Sequence, residues 1–380
     1  MSSSLSRPTT MAAERRTIPY VSLGRQYEAE REVLGKALDA VMASGQWIGG
    51  AEIEELERRA AVYAGARHCV AMGSGTDALI LGMRALDIGP GDEVITTPNS
   101  FVASTASIVF AGATPVFVDV RADQNIDPAL IEAAITPRTK AIMPVHLTGR
   151  MSAMDEICEI AQRHGLRVIE DAAQAFGSRY LDRAAGTWGD IGCVSAHPLK
   201  NLNAMGDAGL VLTDGDHVAE RLRRLRNNGL VDRNTVVEWG TVSRLDTLQA
   251  VVLMHRLEAL DGVIAKRRAN AELYRRLLPA EHVQMEPCRQ QEFNSFHTFV
   301  VQVDRRDELR QYLADNGVGT AIHYPIPIHL QPAAAGLGLG PGSFPVTETQ
   351  AGRILTLPVN QFLTEDEIHY IADLIHEFFG

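Results

Sequence analysis

The strongest constraint on what this chain can fold into is an alternation that begins at Arg67. Short runs that are apolar nearly throughout are separated by helical patterns roughly 10 to 15 residues long. His68–Met72, Glu93–Thr97, Thr114–Asp119, Ala141–Val145, Leu166–Glu170, Ile191–Val194 and Gly209–Thr213 read as strands. Thr76–Leu86, Phe101–Ala111 and Ala153–His164 read as the helices between them. Strands without a polar face are buried on both sides, and a chain that returns through a helix between them builds a mostly parallel α/β sheet.

Two helical patterns precede this region, Tyr27–Met42 and Ala51–Tyr63, joined by a glycine-punctuated loop, Ser44 to Gly50. After Thr213 the periodicity predicts helices over Asp216–Asn227 and Leu245–Leu277. A strand at Thr298–Val303 and helices at Arg306–Asn316 and Glu365–Phe379 then read as a smaller α+β unit. The reading predicts a disordered tail over residues 1–17, a large α/β domain over 18–257 and a small α+β domain over 258–380. The join is expected inside the long helix, near Leu257–Val263.

Composition narrows the function classes. A net charge of −11 and a pI near 5.6 argue against a nucleic-acid surface, which wants a basic patch. Cys69, Cys158, Cys193 and Cys288 form no CxxC and lie in or beside apolar runs, so buried free thiols are expected and no metal site. Without a disulfide framework or a signal-peptide core, the cytoplasm is the default compartment. No apolar stretch approaches the ~20 residues of a membrane span.

One lysine stands out chemically. Lys200 follows the strand Ile191–Val194 and sits among short neutral residues, with no other charge until Asp207. An ammonium in a neutral pocket loses solvation, its pKa falls, and the free amine becomes a nucleophile of the Schiff-base kind. An ordinary strand-to-loop lysine fits the same local pattern, so the neighbouring strand ends carry the decision.

Ligand groups in open α/β sheets gather at the carboxyl ends of strands. Three segments stand there. Gly73-Ser74-Gly75-Thr76-Asp77-Ala78 follows a strand and opens a helix, where free N–H groups and the helix dipole favour a phosphate. It also matches G-x-G-x-x-A, but the acid a dinucleotide fold needs about 20 residues later is replaced by Asp92 and Glu93 at the start of the next strand. Val168-Ile169-Glu170-Asp171 ends an apolar strand in two acids, and a buried carboxylate needs a partner such as a protonated pyridine nitrogen; either acid could instead cap the next turn. Gln174 lies three residues on, able to donate to a ring oxygen. Phe101, in Thr97–Ser104, fits either the core or the face of a flat ligand. An anion cradle, a buried acid, an aromatic face and a lysine amine are together what pyridoxal phosphate requires of a protein.

The order of motifs resembles the DegT/DnrJ/EryC1/StrS family of pyridoxal-phosphate-dependent sugar aminotransferases, of the aspartate-aminotransferase-like fold type I. The resemblance runs from about Ile18 to Phe379 through Gly45-Gln-Trp-Ile-Gly49, Ser74–Leu79, Pro90-Gly-Asp-Glu-Val94, Phe101-Val-Ala-Ser104 and Glu170-Asp-Ala-Ala-Gln174. It continues through Ser195, Lys200-Asn-Leu202, Gly206-Asp207, Arg226–Gly229, Ser243-Arg-Leu-Asp246 and Ile322–His329. The resemblance implies that Lys200 is the Schiff-base lysine and proton-transfer base. Asp171 would pair with the pyridine N–H, Gln174 with the ring hydroxyl, and Phe101 would stack on the ring. Gly75, Thr76, Asp77 and Ser195 would hold the phosphate.

It also implies a homodimer with shared sites, Asn227 and Arg244 being the candidates for the contact across subunits. His323, Tyr324 and His329 would lie near the substrate. The expected reaction moves an amino group from L-glutamate to a keto group of a nucleotide-linked sugar. The runners-up are a cyclitol aminotransferase of the scyllo-inosose type, a regulatory protein of the same fold, and an NAD-dependent reductase. The chain departs from the family at Ala196, often aromatic, at Thr148 of His146-Leu-Thr-Gly149, often tyrosine, and at Thr241-Val242, often Tyr-Asn. One subgroup replaces the lysine by histidine and dehydrates; Lys200 is present here, so transamination is expected.

Overall fold

A computed structural model of the chain describes residues 16–380. The predicted tail over residues 1–17 therefore lies, but for Arg16 and Thr17, outside the described residues.

Helices α1 (Leu23–Ser44) and α2 (Ala51–Ala64) lead into the alternating region. Seven strands form one sheet: β1 (His68–Met72), β2 (Glu93–Thr96), β3 (Thr114–Phe117), β4 (Thr139–Ile142), β5 (Arg167–Asp171), β6 (Ile191–Ser195) and β7 (Gly209–Thr213). Their spatial order is β1-β7-β6-β5-β4-β2-β3. The run from β3 to β6 is parallel, and β7 lies antiparallel between β6 and β1. The mostly parallel sheet expected from the apolar runs is what forms.

The helices between strands are α3 (Gly75–Ala85), α4 (Val102–Phe110) and α5 (Met154–His164), followed by α6 (Asp216–Leu225) and the long α7 (Thr247–Leu277). Neighbouring strand residues feed opposite faces of the sheet. Ile95, Ile142, Val168 and Leu212 pack with residues of α2, α5 and α7, such as Leu56, Ile157 and Leu253. Val94, Ala141, Ile169 and Val211 pack with residues of α3 and α6, such as Leu79, Leu81 and Leu222. Both faces are covered, which is why these strands carry so few polar residues.

The C-terminal unit contains β8 (Phe299–Val303) paired antiparallel with β9 (Ile354–Leu357), and helices α8 (Arg306–Asp315), α9 (Pro345–Arg353) and α10 (Glu365–Phe379). Its separate core includes Tyr274, Phe299, Val301, Leu309, Leu355 and Ile371, with Ile18 from the other end of the chain. Within α7, residues through Ile264 belong to the first core, and Ala271 and Tyr274 to this one. We infer that α7 serves both domains and that the join lies between Ile264 and Ala271, beyond the predicted Leu257–Val263.

Two differences from the sequence reading share one cause. β3 ends at Phe117 rather than Asp119, and α9 has no counterpart among the predicted elements. The Asp119 carboxylate accepts from the backbone N–H of Val346 and Thr347, both at 3.0 Å, and from the Thr347 hydroxyl at 2.7 Å. Asp119 thus caps the start of α9 from far away in sequence, a job that a helix-start pattern assigns to a neighbouring residue.

The sheet also sets how closely α3 can approach. A side chain at Gly209 would overlap the Ser74 carbonyl, and one at Gly75 would come within 2.6 Å of Ser195 Cβ. Gly209→Ala should therefore cost about 1–3 kcal/mol by overpacking. Urea unfolding should show a lower midpoint at unchanged slope; an unchanged midpoint would mean that β7 and α3 have slack between them.

Candidate active site

The two acids at the end of β5 part company, because consecutive strand residues face opposite sides. Glu170 turns into the protein, where it accepts from the backbone N–H of Gly186 (2.8 Å), Trp188 (2.6 Å) and Gly189 (2.8 Å). It also bonds His146 Nε2 at 2.9 Å. His146 Nδ1 accepts from the Ser152 N–H at 3.2 Å, so the ring proton sits on Nε2 and is donated to Glu170. Glu170 is thus a brace for the 186–189 turn.

Asp171 faces the other way and is 4% exposed. Its Oδ2 accepts from the Ser104 hydroxyl at 2.6 Å and its Oδ1 from the Ala173 N–H at 3.1 Å. Among the described residues it has no ion-pair partner, so this buried carboxylate keeps capacity for a cation from outside the chain. The sequence motif Phe101-Val-Ala-Ser104 assigns Ser104 no role. A serine three residues into a helix reads as an ordinary small polar residue, and only the packing of α4 against α3, β2 and β3 aims it at the acid.

Lys200 sits in the turn after β6, its backbone N–H donating to the His197 carbonyl at 2.9 Å. Burial pushes its amine down to about 8, against the opposing pull of the Asp171 charge. His323 is also held neutral, its pKa lowered to about 4 by burial and then by Lys200. Its Nδ1 lies 2.9 Å from Thr356 Oγ1.

At the start of α3 the Ser74 hydroxyl accepts from the Asp77 N–H at 3.0 Å. The N–H groups of Gly75 and Thr76 make no hydrogen bond among the described residues and remain for an anion. Asp77 differs from its predicted part: its N–H is used in the cap, and its carboxylate takes the Ser243 hydroxyl at 2.8 Å, which in turn accepts from the Gly73 N–H at 3.0 Å. Asp77 fixes the start of the helix without facing an anion with a free donor. Ser195 lies against Gly75, its hydroxyl accepting from the His197 N–H at 3.3 Å.

Gln174 accepts from the Thr148 N–H at 2.8 Å and donates from Nε2 to the Tyr324 hydroxyl at 3.1 Å. The Tyr324 ring is 5.8 Å from that of Phe101. Phe101 is 53% exposed at the N-terminal boundary of α4, so its face is free for a flat ligand and not consumed by the core. Asn227 and Arg244 line a surface cleft of about 270 Å³ with Ile48 and Gly49. Ser243 ties this cleft to α3. The exposed Arg244 has no ion pair among the described residues. His329 does not join the group: it is buried, bonds Glu348 through Nε2 at 3.0 Å, and packs its ring on Phe344.

The arrangement thus holds an amine poised near neutral pH, an unpaired buried carboxylate, a helix start with free donors and an exposed aromatic face. The profile of the DegT/DnrJ/EryC1/StrS aminotransferase family matches residues 28–376. The dTDP-3-amino-3,4,6-trideoxy-alpha-D-glucose transaminase of Streptomyces venezuelae is 41% identical over 375 residues, 96% of this chain and 97% of that one. The pleiotropic regulatory protein of Geobacillus stearothermophilus is 40% identical over 366 residues, 95% and 98% of the two chains. The crystal structure of NtdA from Bacillus subtilis with bound cofactor PMP superposes with a TM-score of 0.89 at 32% identity, over 96% of this chain and 86% of that one.

The lowered amine makes a direct prediction. Acylation of Lys200 by an amine-selective reagent, read by peptide mass spectrometry, should rise with pH and level off above about 8. The lysine of a short unstructured peptide added to the same reaction should go on rising toward the ordinary lysine value of about 10.4. Identical profiles would refute the burial argument.

Proposed function

Because the chain belongs to the DegT/DnrJ/EryC1/StrS aminotransferase family, we propose that it moves the amino group of L-glutamate to a keto group of a nucleotide-linked deoxysugar. It is a pyridoxal-phosphate-dependent aminotransferase of fold type I. The acceptor class follows the Streptomyces relative, whose name specifies a dTDP-linked amino sugar.

The residues present fit the cofactor. Asp171, buried and without an ion-pair contact among the described residues, suits a pyridinium; Gly75, Thr76 and the Ser195 hydroxyl suit a phosphate; Phe101 offers a face to the ring. When bound, pyridoxal phosphate supplies an electron sink for the carbon that loses its proton. Lys200 Nζ, neutral from about pH 8 upward, takes that proton and returns it on the other side of the transferred nitrogen. The Asp171 charge favours protonation of the ring nitrogen, and the Ser104 hydroxyl holds the carboxylate in place. Gln174 positions Tyr324 at the edge of the site, with His323 neutral behind it. Asp77 contributes by orienting the helix start, and His329 by packing alone.

The proposed assembly is a homodimer with Asn227 and Arg244 reaching toward the partner's phosphate groups. An arginine without an ion pair among the described residues, sharing a cleft with the exposed Ile48 and lying two residues from the exposed Val242, supports a surface that a second copy covers. The free buried thiols Cys69 and Cys193 support a reducing compartment, the cytoplasm. Among the described residues no helix is long and apolar enough to cross a membrane.

The name of the Geobacillus relative favours a second reading, a regulatory protein without turnover. Asp171 carries the catalytic reading against it, since a binding module has no use for an uncompensated buried acid aimed at a poised amine. Supplied with pyridoxal phosphate, the protein should turn yellow, lose the colour on adding L-glutamate, and regain it with a dTDP- or UDP-linked keto sugar but not with scyllo-inosose. Lys200→Ala should not complete the cycle, and Asp171→Asn should slow it about 100-fold or more. A wild type that stays colourless would return the protein to the regulatory reading.

A further inference from the structure

Three arginines are buried among the described residues, and two of them have a carboxylate. Arg150 meets Glu292 at 3.3 Å, and Arg256 meets Glu30 at 2.7 Å. Arg267, on α7, is 6% exposed and has no ion-pair partner among the described residues. A guanidinium carries five N–H donors. Arg267 donates from Nη1 to the carbonyls of Phe296 (3.4 Å) and His297 (3.0 Å), while its Nε is buried with no partner. Burial pulls its pKa down to about 10, offset only in part by Tyr20. A cation kept in such a place calls for an anion that the chain does not supply.

The location says which anion. Arg267 and Lys200 line the same narrow pocket, between the start of α1 and the turn that carries Lys200. The free volume is about 10 Å³, room for one water-sized oxygen. His297 lies within electrostatic reach of both cations and is held neutral by burial and by their charge, so it is no counter-ion. Asp171 is oriented by Ser104 and Ala173 toward its own task. An amino group delivered to Lys200 by an amino acid brings a carboxylate one carbon away, and one of its oxygens matches the space in this pocket. The phosphates of a nucleotide are too bulky for it.

Resting on the aminotransferase reading above, we propose that Arg267 receives the α-carboxylate of the amino donor and so selects amino acids over simple amines. The two carbonyl bonds from Nη1 fix the guanidinium, and Nη2, which makes no hydrogen bond among the described residues and unlike Nε is not closed off, is left as the donor for the carboxylate oxygen. The bland role for the same residue is a brace for the 296–297 backbone, and the two roles differ in what they do to different amines.

Cofactor-loaded wild type, Arg267→Met and Arg267→Lys are titrated with L-glutamate and with 4-aminobutyrate, the same skeleton without the α-carboxylate. The loss of yellow colour and the melting temperature are both followed. In wild type, L-glutamate should half-saturate at a far lower concentration than 4-aminobutyrate. Arg267→Met should raise the L-glutamate value roughly 10- to 100-fold, the loss of a charged hydrogen bond, and leave 4-aminobutyrate unchanged. Arg267→Lys should fall between. A variant that keeps the preference for L-glutamate, or that weakens both amines alike along with its melting point, reduces Arg267 to a brace and overturns the assignment alone. A wild type that responds to no amine at all removes the aminotransferase reading and this inference with it.

Discussion

The pairing of β5 with β6 and of β6 with β7 is the constraint on which the rest of the site depends. Parallel register sets Asp171 opposite Cys193, and antiparallel register sets Ser195 opposite Gly209 and Gly209 opposite Met72. Met72, Gly209 and Ser195 thus form one row across β1, β7 and β6, and Asp171 lies beside it in the row of Cys193, two residues back along β6. The chain that leaves β1 starts α3 beside Ser195, and the chain that leaves β6 carries Lys200. A slip of one residue in the β5–β6 ladder would turn Asp171 into the protein and Glu170 outward. Gly209 is what lets the row close, because any side chain there would push the start of α3 away from Ser195.

Burial then sets the chemistry. Adjacent acids at one strand end meet opposite fates because one finds three backbone donors and a histidine while the other finds one hydroxyl, one N–H and, among the described residues, no ion-pair contact. The first is a satisfied structural group, the second an open one. The same loss of solvent that would penalise an isolated ammonium leaves Lys200 partly neutral near pH 8, with the Asp171 charge preventing a larger fall. Charge, partner count and burial together separate groups that residue type alone makes equivalent.

The C-terminal unit is tied to the site by polar contacts with long sequence separation. Gln174 donates to Tyr324, and Asp119 caps α9. Arg267 stands where the two cores meet along α7 and bonds carbonyls just before β8.

Much of this was legible in the amino-acid order. The strand runs at His68–Met72 and Gly209–Thr213 and the closing helix Glu365–Phe379 appear where periodicity places them, because local pattern and burial agree there. The chemistry-bearing segments around Lys200, Asp171, Gly75 and Phe101 could be picked out because each follows a strand end, and their order carried the family. What the sequence could not supply was direction and partnership. Ser104 as the hydroxyl on Asp171, Asp77 as a partner of Ser243 rather than a free donor, His329 turned toward Glu348, and α9 capped by Asp119 all depend on residues far apart along the chain. So does the isolation of Arg267. By itself the sequence determined which residues carry chemistry and which strands are buried, since those follow from side-chain type and short periods. Only the tertiary structure decided which of those residues face one another, because that is set by strand register and helix packing, where one residue of shift exchanges the inside for the outside.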